Sequence, residues 1–136
     1  MIDCLVLGDS IAVGTHQFRP DCAVYARGGW NTWQWNRDYL KNDLSAKTVI
    51  ISLGTNDHKG VKTREELERM RARVTGSRVF WIMPPCNDQF CKPWVNQIVE
   101  EIAKEHGDMI VATNRVQPDH IHPSWAGYKE IAEKTR

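Results

Sequence analysis

Apolar residues gather in five short runs along the chain: Asp3–Leu7, Cys22–Ala26, Thr48–Leu53, Arg78–Met83 and Met109–Ala112. All but the second are nearly continuous rather than alternating. That pattern predicts strands covered on both faces. Between the runs the apolar period lengthens to three and four residues. "TREELERMRARV" opens with Thr63 and Glu66 at capping-box spacing, with its acidic residues early and its basic ones late. "KPWVNQIVEEIAKEHG" has Pro93 at a first helical turn and Gly107 at a C-terminal stop. Its Val95, Ile98, Val99, Ile102 and Ala103 make one apolar face. "SWAGYKEIAEK" predicts a last helix with Tyr128, Ile131 and Ala132 turned inward. Ile11–Phe18 and Asn31–Leu40 predict two more helices with less regular patterns.

This β-α alternation predicts a parallel sheet with helices on both faces and right-handed crossovers. The length, 136 residues, suits one domain with a single core, spanning residues 1–136. No repeat, linker or low-complexity stretch interrupts it. Gly8, Gly28–Gly29 and Gly54 each follow a predicted strand. In an open α/β sheet those strand ends share one edge, and ligands bind there where the strand order reverses.

Composition narrows the function classes. Eighteen basic against 17 acidic residues leave a net charge of +1, which points to neither nucleic acid nor an anionic membrane as partner. No apolar run is long enough to span a bilayer. The N-terminus enters a strand directly, so a cytoplasmic location is the default expectation. Cys4 and Cys22 fall in strand-like runs and read as core thiols. Cys86 and Cys91 flank a loop; their spacing leaves a disulfide open. A second Cys pair at zinc-ligand spacing is lacking.

In the predicted sheet three polar clusters fall at the same edge: Gly8-Asp9-Ser10, Gly54-Thr55-Asn56-Asp57 and Asp119-His120-Ile121-His122-Pro123. A serine hydroxyl is a poor nucleophile near neutral pH and needs a base, a role open to His122. Asp119, three residues earlier, can accept from the other imidazole nitrogen and hold the ring in one tautomer. Acyl transfer also needs donors for a developing oxyanion. The Ser10 N–H, the Asn56 amide and a glycine N–H of "RGGWNT" are candidates.

Together, Gly8-Asp9-Ser10, a glycine after the second strand, Gly54-x-Asn56-Asp57 and Asp119-x-x-His122-Pro123 resemble the ordered sequence blocks of the SGNH, or GDSL, hydrolases. The resemblance runs through the whole chain. It implies a flavodoxin-like three-layer α/β/α sandwich, here with a five-stranded parallel sheet. It implies a serine esterase with Ser10 as nucleophile, His122 as base and Asp119 as its orienter. Gly29 and Asn56 would complete the oxyanion hole with the Ser10 N–H, although Gly28 lies beside Gly29. No metal or cofactor is implied. Family members include esterases, lipases, thioesterases and carbohydrate O-deacetylases. Ile11 stands where the family's pattern has leucine, and the chain is shorter than most members.

"GGWNTWQW" follows the proposed oxyanion glycine, and Trp30, Trp33 and Trp35 cannot all face one side of a helix. Trp30 is the expected substrate-lining residue, with Pro84 at the pocket rim. An exposed indole suits the C–H face of a sugar. The expected substrate is therefore a small carboxylic ester, such as an acetyl group on carbohydrate. A short-chain lipid ester or a thioester is the alternative.

Blander readings compete. Ser10 can be a helix N-cap. Asp9 can serve the helix dipole alone, and no catalytic role is assigned to it. Asp57 reads as a loop hydrogen-bonder rather than an acid. His120, His122 and Asp119 can be imagined as metal ligands, but neighbours in one loop rarely close a site. His16, His58 and His106 read as solvent-facing or capping residues. An α/β-hydrolase would not place its serine after the first strand. A phosphate-binding flavodoxin-like module would want a Walker lysine or G-x-G-x-x-G, and neither is present.

Overall fold

A computed structural model describes residues 1–86, 91–113, 116–119 and 121–136. Its order is β1 (Ile2–Gly8), α1 (Ser10–Phe18), β2 (Ala23–Ala26), α2 (Thr32–Tyr39), β3 (Leu44–Ser52), α3 (Thr63–Arg73), β4 (Val74–Thr75), β5 (Arg78–Ile82), α4 (Pro93–His106), β6 (Met109–Val111) and α5 (Trp125–Lys134). The strands run in the order β2-β1-β3-β5-β6, all parallel, with β4 paired to the start of β3. This is the expected flavodoxin-like sheet with one addition: the two-residue β4 makes six strands where five were expected.

Alternate side chains of the central strands feed two cores. Leu5, Leu7, Val49, Ile51, Val79 and Trp81 enter the core shared with Trp35, Leu67, Val95 and Val99 of α2, α3 and α4. Val6, Ile50, Phe80 and Ile82 enter the other, against Ile11 of α1 and Tyr128 and Ile131 of α5. Each fully buried aliphatic chain contributes about 1.5–3 kcal/mol, so burial on both faces carries the sheet. The predicted faces of α4 and α5 hold: Val95, Val99, Ile102, Ala103, Tyr128, Ile131 and Ala132 are buried, and Ile98 is partly so.

Several local expectations are corrected. Thr63 and Glu66 do not form a capping box. The N-cap of α3 is Lys62, without a side-chain bond, because the Thr63 hydroxyl donates to Asp57 instead. The capping box occurs on α2, between Asn31 and Gln34. Cys4 and Cys22 are not free thiols but a disulfide, with Cα atoms 4.5 Å apart. The Leu5↔Ala23 pairing of β1 with β2 brings the preceding residues side by side. Cys86 and Cys91 are paired as well. No helix among the described residues is long and apolar enough to cross a membrane.

Candidate active site

β1 and β3 are neighbours, while β2 lies on one side of them and β5 on the other. The strand order therefore reverses at the C-terminal ends of β1 and β3, where such sheets bind ligands. Ser10 follows β1 there and Asn56 follows β3.

The turn from β1 into α1 depends on Gly8. Its φ is +144°, and a Cβ would collide with the Ser52 carbonyl. That same carbonyl accepts from the Asp9 N–H at 2.9 Å. Asp9, not Ser10, is the N-cap of α1: its carboxyl accepts from the Ile11 N–H at 3.0 Å. Ser10 is thereby freed of capping and occupies the first helical position. Its own N–H is one of those with no acceptor inside the helix. Asp9 is fully buried, and burial pushes its pKa up to about 7 against bonds from Ile11 and Ser52 that favour the anion.

The Ser10 Oγ lies 2.8 Å from His122 Nε2, across 112 residues of sequence. His122 Nδ1 lies 2.7 Å from Asp119 Oδ2. Asp119 is held well below the usual carboxylate range, at about 2, first by the His122 ring and then by the Ile121 and His122 N–H groups. An ionised carboxylate only accepts, so Nδ1 donates to Asp119, and in the neutral ring Nε2 is left to accept from the Ser10 hydroxyl. The loop is closed locally. Val116 and Pro123 form an antiparallel bridge, and the Gln117 N–H donates to the His122 carbonyl at 2.7 Å. His120 lies outside the described residues, and no group of metal ligands occurs among the rest.

The Asn56 side chain donates one N–H to the Trp30 carbonyl at 3.0 Å. A primary amide has a second N–H, which stays available. Gly28 lies against the serine: a Cβ there would stand 3.7 Å from Ser10 Cβ. Gly29 follows with φ +78°. The peptide joining the two carries the Gly29 N–H, so this turn brings both glycine donors near the nucleophile's strand end.

Two residues brace these loops. Asp57 is buried, and its carboxylate accepts from Thr32 N at 2.8 Å, Thr32 Oγ1 at 2.7 Å and Thr63 Oγ1 at 2.6 Å. Thr32 and Thr63 are the first residues of α2 and α3, so two helix N-termini face one negative charge. Lys92 Nζ donates to the Thr55 carbonyl at 2.9 Å and the Asp57 carbonyl at 2.7 Å, on either side of Asn56. Asp57 is thus the loop hydrogen-bonder the sequence suggested. Lys92 carried no sequence signal beyond its place before Pro93.

The sequence profile of the GDSL-like lipase/acylhydrolase family matches residues 6–130. The chain belongs to that family. Among solved structures, this acylhydrolase resembles a GDSL-like lipase from Bacteroides thetaiotaomicron, with TM-score 0.68 and 16% identity over 99% of this chain and 89% of that one. It also resembles the C-terminal catalytic domain of Streptococcus pneumoniae peptidoglycan O-acetyltransferase A, with TM-score 0.61 and 20% identity over 96% and 88% of the two chains. An acetyl xylan esterase from the rumen bacterium Butyrivibrio proteoclasticus matches with TM-score 0.58 and 12% identity, over 97% of this chain and 62% of that one. At such identities the likeness shows the fold. No match is found among curated protein sequences.

Of the two expected lining residues of the GDSL-like chain, Pro84 is differently placed. Pro84 is buried, and its carbonyl accepts from Asn96 Nδ2 at 2.9 Å, so it docks α4 instead of forming a rim. Trp30 is half-buried, with Arg27, Arg37 and Tyr39 against its ring. Trp35 is wholly buried, while Trp33 is 53% exposed. His58 is exposed, and its Nδ1 accepts from the Gly60 N–H at 3.0 Å.

Proposed function

We propose that this acylhydrolase is a serine esterase that releases short acyl groups, acetyl foremost, from carbohydrate. Ser10 Oγ attacks the ester carbonyl carbon while His122 Nε2 takes its proton. The Ser10 N–H, the free Asn56 N–H and the Gly29 N–H hold the oxyanion. The tetrahedral adduct collapses, the C–O bond to the alcohol breaks, and His122 returns its proton to the leaving oxygen. Water then attacks the acyl-serine, giving its proton to His122. Collapse releases the acid, and the proton goes back to Ser10. Asp119 stays ionised throughout and steadies the imidazolium in both halves. No step needs a metal or organic cofactor.

The observation that carries this reading is the Ser10–His122–Asp119 relay, at 2.8 and 2.7 Å, beside the amide of Asn56. The carbohydrate preference rests on the exposed Trp33 and on the acetyl-handling carbohydrate enzymes named among the structural neighbours. A panel of nitrophenyl esters of rising acyl length, run beside acetylated sugars on wild type and Ser10→Ala, tests it. Wild type should favour acetyl and act on the sugars, and Ser10→Ala should do neither. Preference for longer acyl chains would favour the lipid-esterase reading instead.

The location is also proposed anew. Cys4–Cys22 and Cys86–Cys91 are both paired, and disulfides persist mainly in oxidising compartments. We therefore favour such a compartment over the cytoplasm. Thiol titration of the protein isolated from its source cell should find no free cysteine.

A further inference from the structure

A groove of about 520 Å³ lies between the start of α2 and the chain leading into α3. Asn31 and Trp33 line one side of it, and His58, Lys62, Glu65 and Arg69 the other. The relay just described uses none of these residues.

The groove begins close to the nucleophile but not on it. A Cβ on Gly28 would stand 3.7 Å from Ser10 Cβ, and Asn31 follows three residues later. Three residues of extended chain reach at most about 11 Å. On the other wall, His58 is two residues beyond Asn56. A substrate whose ester carbonyl sits at Ser10 therefore reaches the groove only if its alcohol extends past the oxyanion loops. None of Ser10, Asn56, Asp119 and His122 lines the groove, so it is filled by sugar units beyond the one that carries the ester.

Its lining fits such a chain. Trp33 offers a flat apolar face, with the Arg37 guanidinium 5.2 Å from its ring centre. Around it stand polar groups with bonding capacity to spare. The Lys62 and Glu65 side chains have no hydrogen-bond or ion-pair partner among the described residues. Arg69 spends one nitrogen on Glu66, which is itself tied to Asn36. In the groove Lys62 and Arg69 thus stand with Glu65 and Glu66, and Arg37 beside Trp33 is paired with Asp38 at 2.9 Å, a balance that favours a neutral ligand over a uronate or a phosphate. An alkyl chain would strip water from four charged side chains without replacing any bond. Hydroxyl groups can replace those bonds on all of them.

We infer that this groove is a distal subsite for a neutral oligosaccharide, with Trp33 as the platform for a sugar ring beyond the one that bears the scissile ester. Trp33 thereby determines preference for glycan length. The inference rests on the esterase reading above and adds the extent and charge of the alcohol.

The experiment measures acetate release from O-acetylated cello-oligosaccharides of one to four sugar units, with nitrophenyl acetate hydrolysis by wild type as reference. For wild type, kcat/KM rises about tenfold from the single sugar to the trisaccharide, the scale of one aromatic contact. In Trp33→Ala that ratio falls to near one, chiefly through KM for the longer chains. Trp33→Phe, which keeps a ring, retains most of it. Trp125→Ala removes another exposed tryptophan, 67% accessible and outside the groove, and leaves the ratio as in wild type. A length preference that survives in Trp33→Ala overturns the subsite. So does the absence of any preference in a wild type that cleaves nitrophenyl acetate, and there the esterase reading stands. A wild type inert towards nitrophenyl acetate and every acetylated sugar defeats the esterase reading and the subsite with it.

Discussion

Truncating Asp57 to alanine separates bracing from chemistry. In the folded chain its carboxylate takes three bonds, from Thr32 N, Thr32 Oγ1 and Thr63 Oγ1, at 2.6 to 2.8 Å. All three residues are buried, with Asp57 at 0%, Thr32 at 1% and Thr63 at 3% exposure, so water cannot simply replace the carboxylate. A buried donor left unpaired costs about 1–3 kcal/mol. The two hydroxyls can rotate towards other acceptors, but the Thr32 N–H cannot. The net loss should therefore be about 4 kcal/mol, towards the low end of the roughly 3–9 kcal/mol that three unpaired donors would cost. The damage should also reach the site. Asn56 precedes Asp57, and its amide is held by the Trp30 carbonyl, two residues before Thr32. Loosening α2 from this loop misplaces the Asn56 N–H. Urea denaturation of Asp57→Ala should show the destabilisation, and kcat on nitrophenyl acetate should fall in conditions where the variant is still folded. A loss under about 1 kcal/mol with unchanged kcat would refute the bracing role.

Further outcomes follow from the same geometry. Asn56→Ala should lower kcat by about 10²–10³, and Asp119→Asn by roughly 10⁴ through the wrong His122 tautomer; stopped assays on nitrophenyl acetate read both. Lys92→Met removes the ammonium from the Thr55 and Asp57 carbonyls, and kcat should fall about tenfold with KM little changed, whereas an unaltered kcat would show that the loop holds without it. Asp9 keeps its proton in the folded chain up to about pH 7, while the unfolded chain releases it near 3.8. The folded state thus binds more protons in that window, and stability falls as pH rises through it. Asp9→Asn should flatten that slope in denaturation midpoints taken across the window, and a wild-type curve already flat there would contradict the burial argument.

The sheet was legible because its central strands are covered on both faces and read as unbroken apolar runs. What escaped has local causes. The first residues of β3 alternate, with Leu44 and Ala46 buried and Lys47 exposed, since they lie before the doubly covered region. A continuous-run criterion passes over them, and β4, two residues long, leaves no pattern at all. Cys4 and Cys22 stand 18 residues apart, and only strand register makes them neighbours. The Thr63–Glu66 spacing was right for a capping box, but a buried carboxylate from another loop took the hydroxyl. Trp30, Trp33 and Trp35 could be sorted only once Asn31 fixed where α2 begins. Trp33 and Trp35 then point about 200° apart, one outward and one into the core. Ser10, Asn56, Asp119 and His122 were legible because their residue types are chemically demanding and the topology leaves a single edge for them. Lys92 was not, because its role lies in where a flexible chain ends.

The central claim is that Ser10 becomes acylated. Peptide mapping by mass spectrometry after treatment with a fluorophosphonate tests it most directly, on wild type, Ser10→Ala and His122→Ala. One adduct should form on the peptide that contains Ser10. It should be absent from Ser10→Ala and slow to form in His122→Ala. An adduct on any other residue, or an unlabelled Ser10 in a protein that still hydrolyses nitrophenyl acetate, would contradict the account.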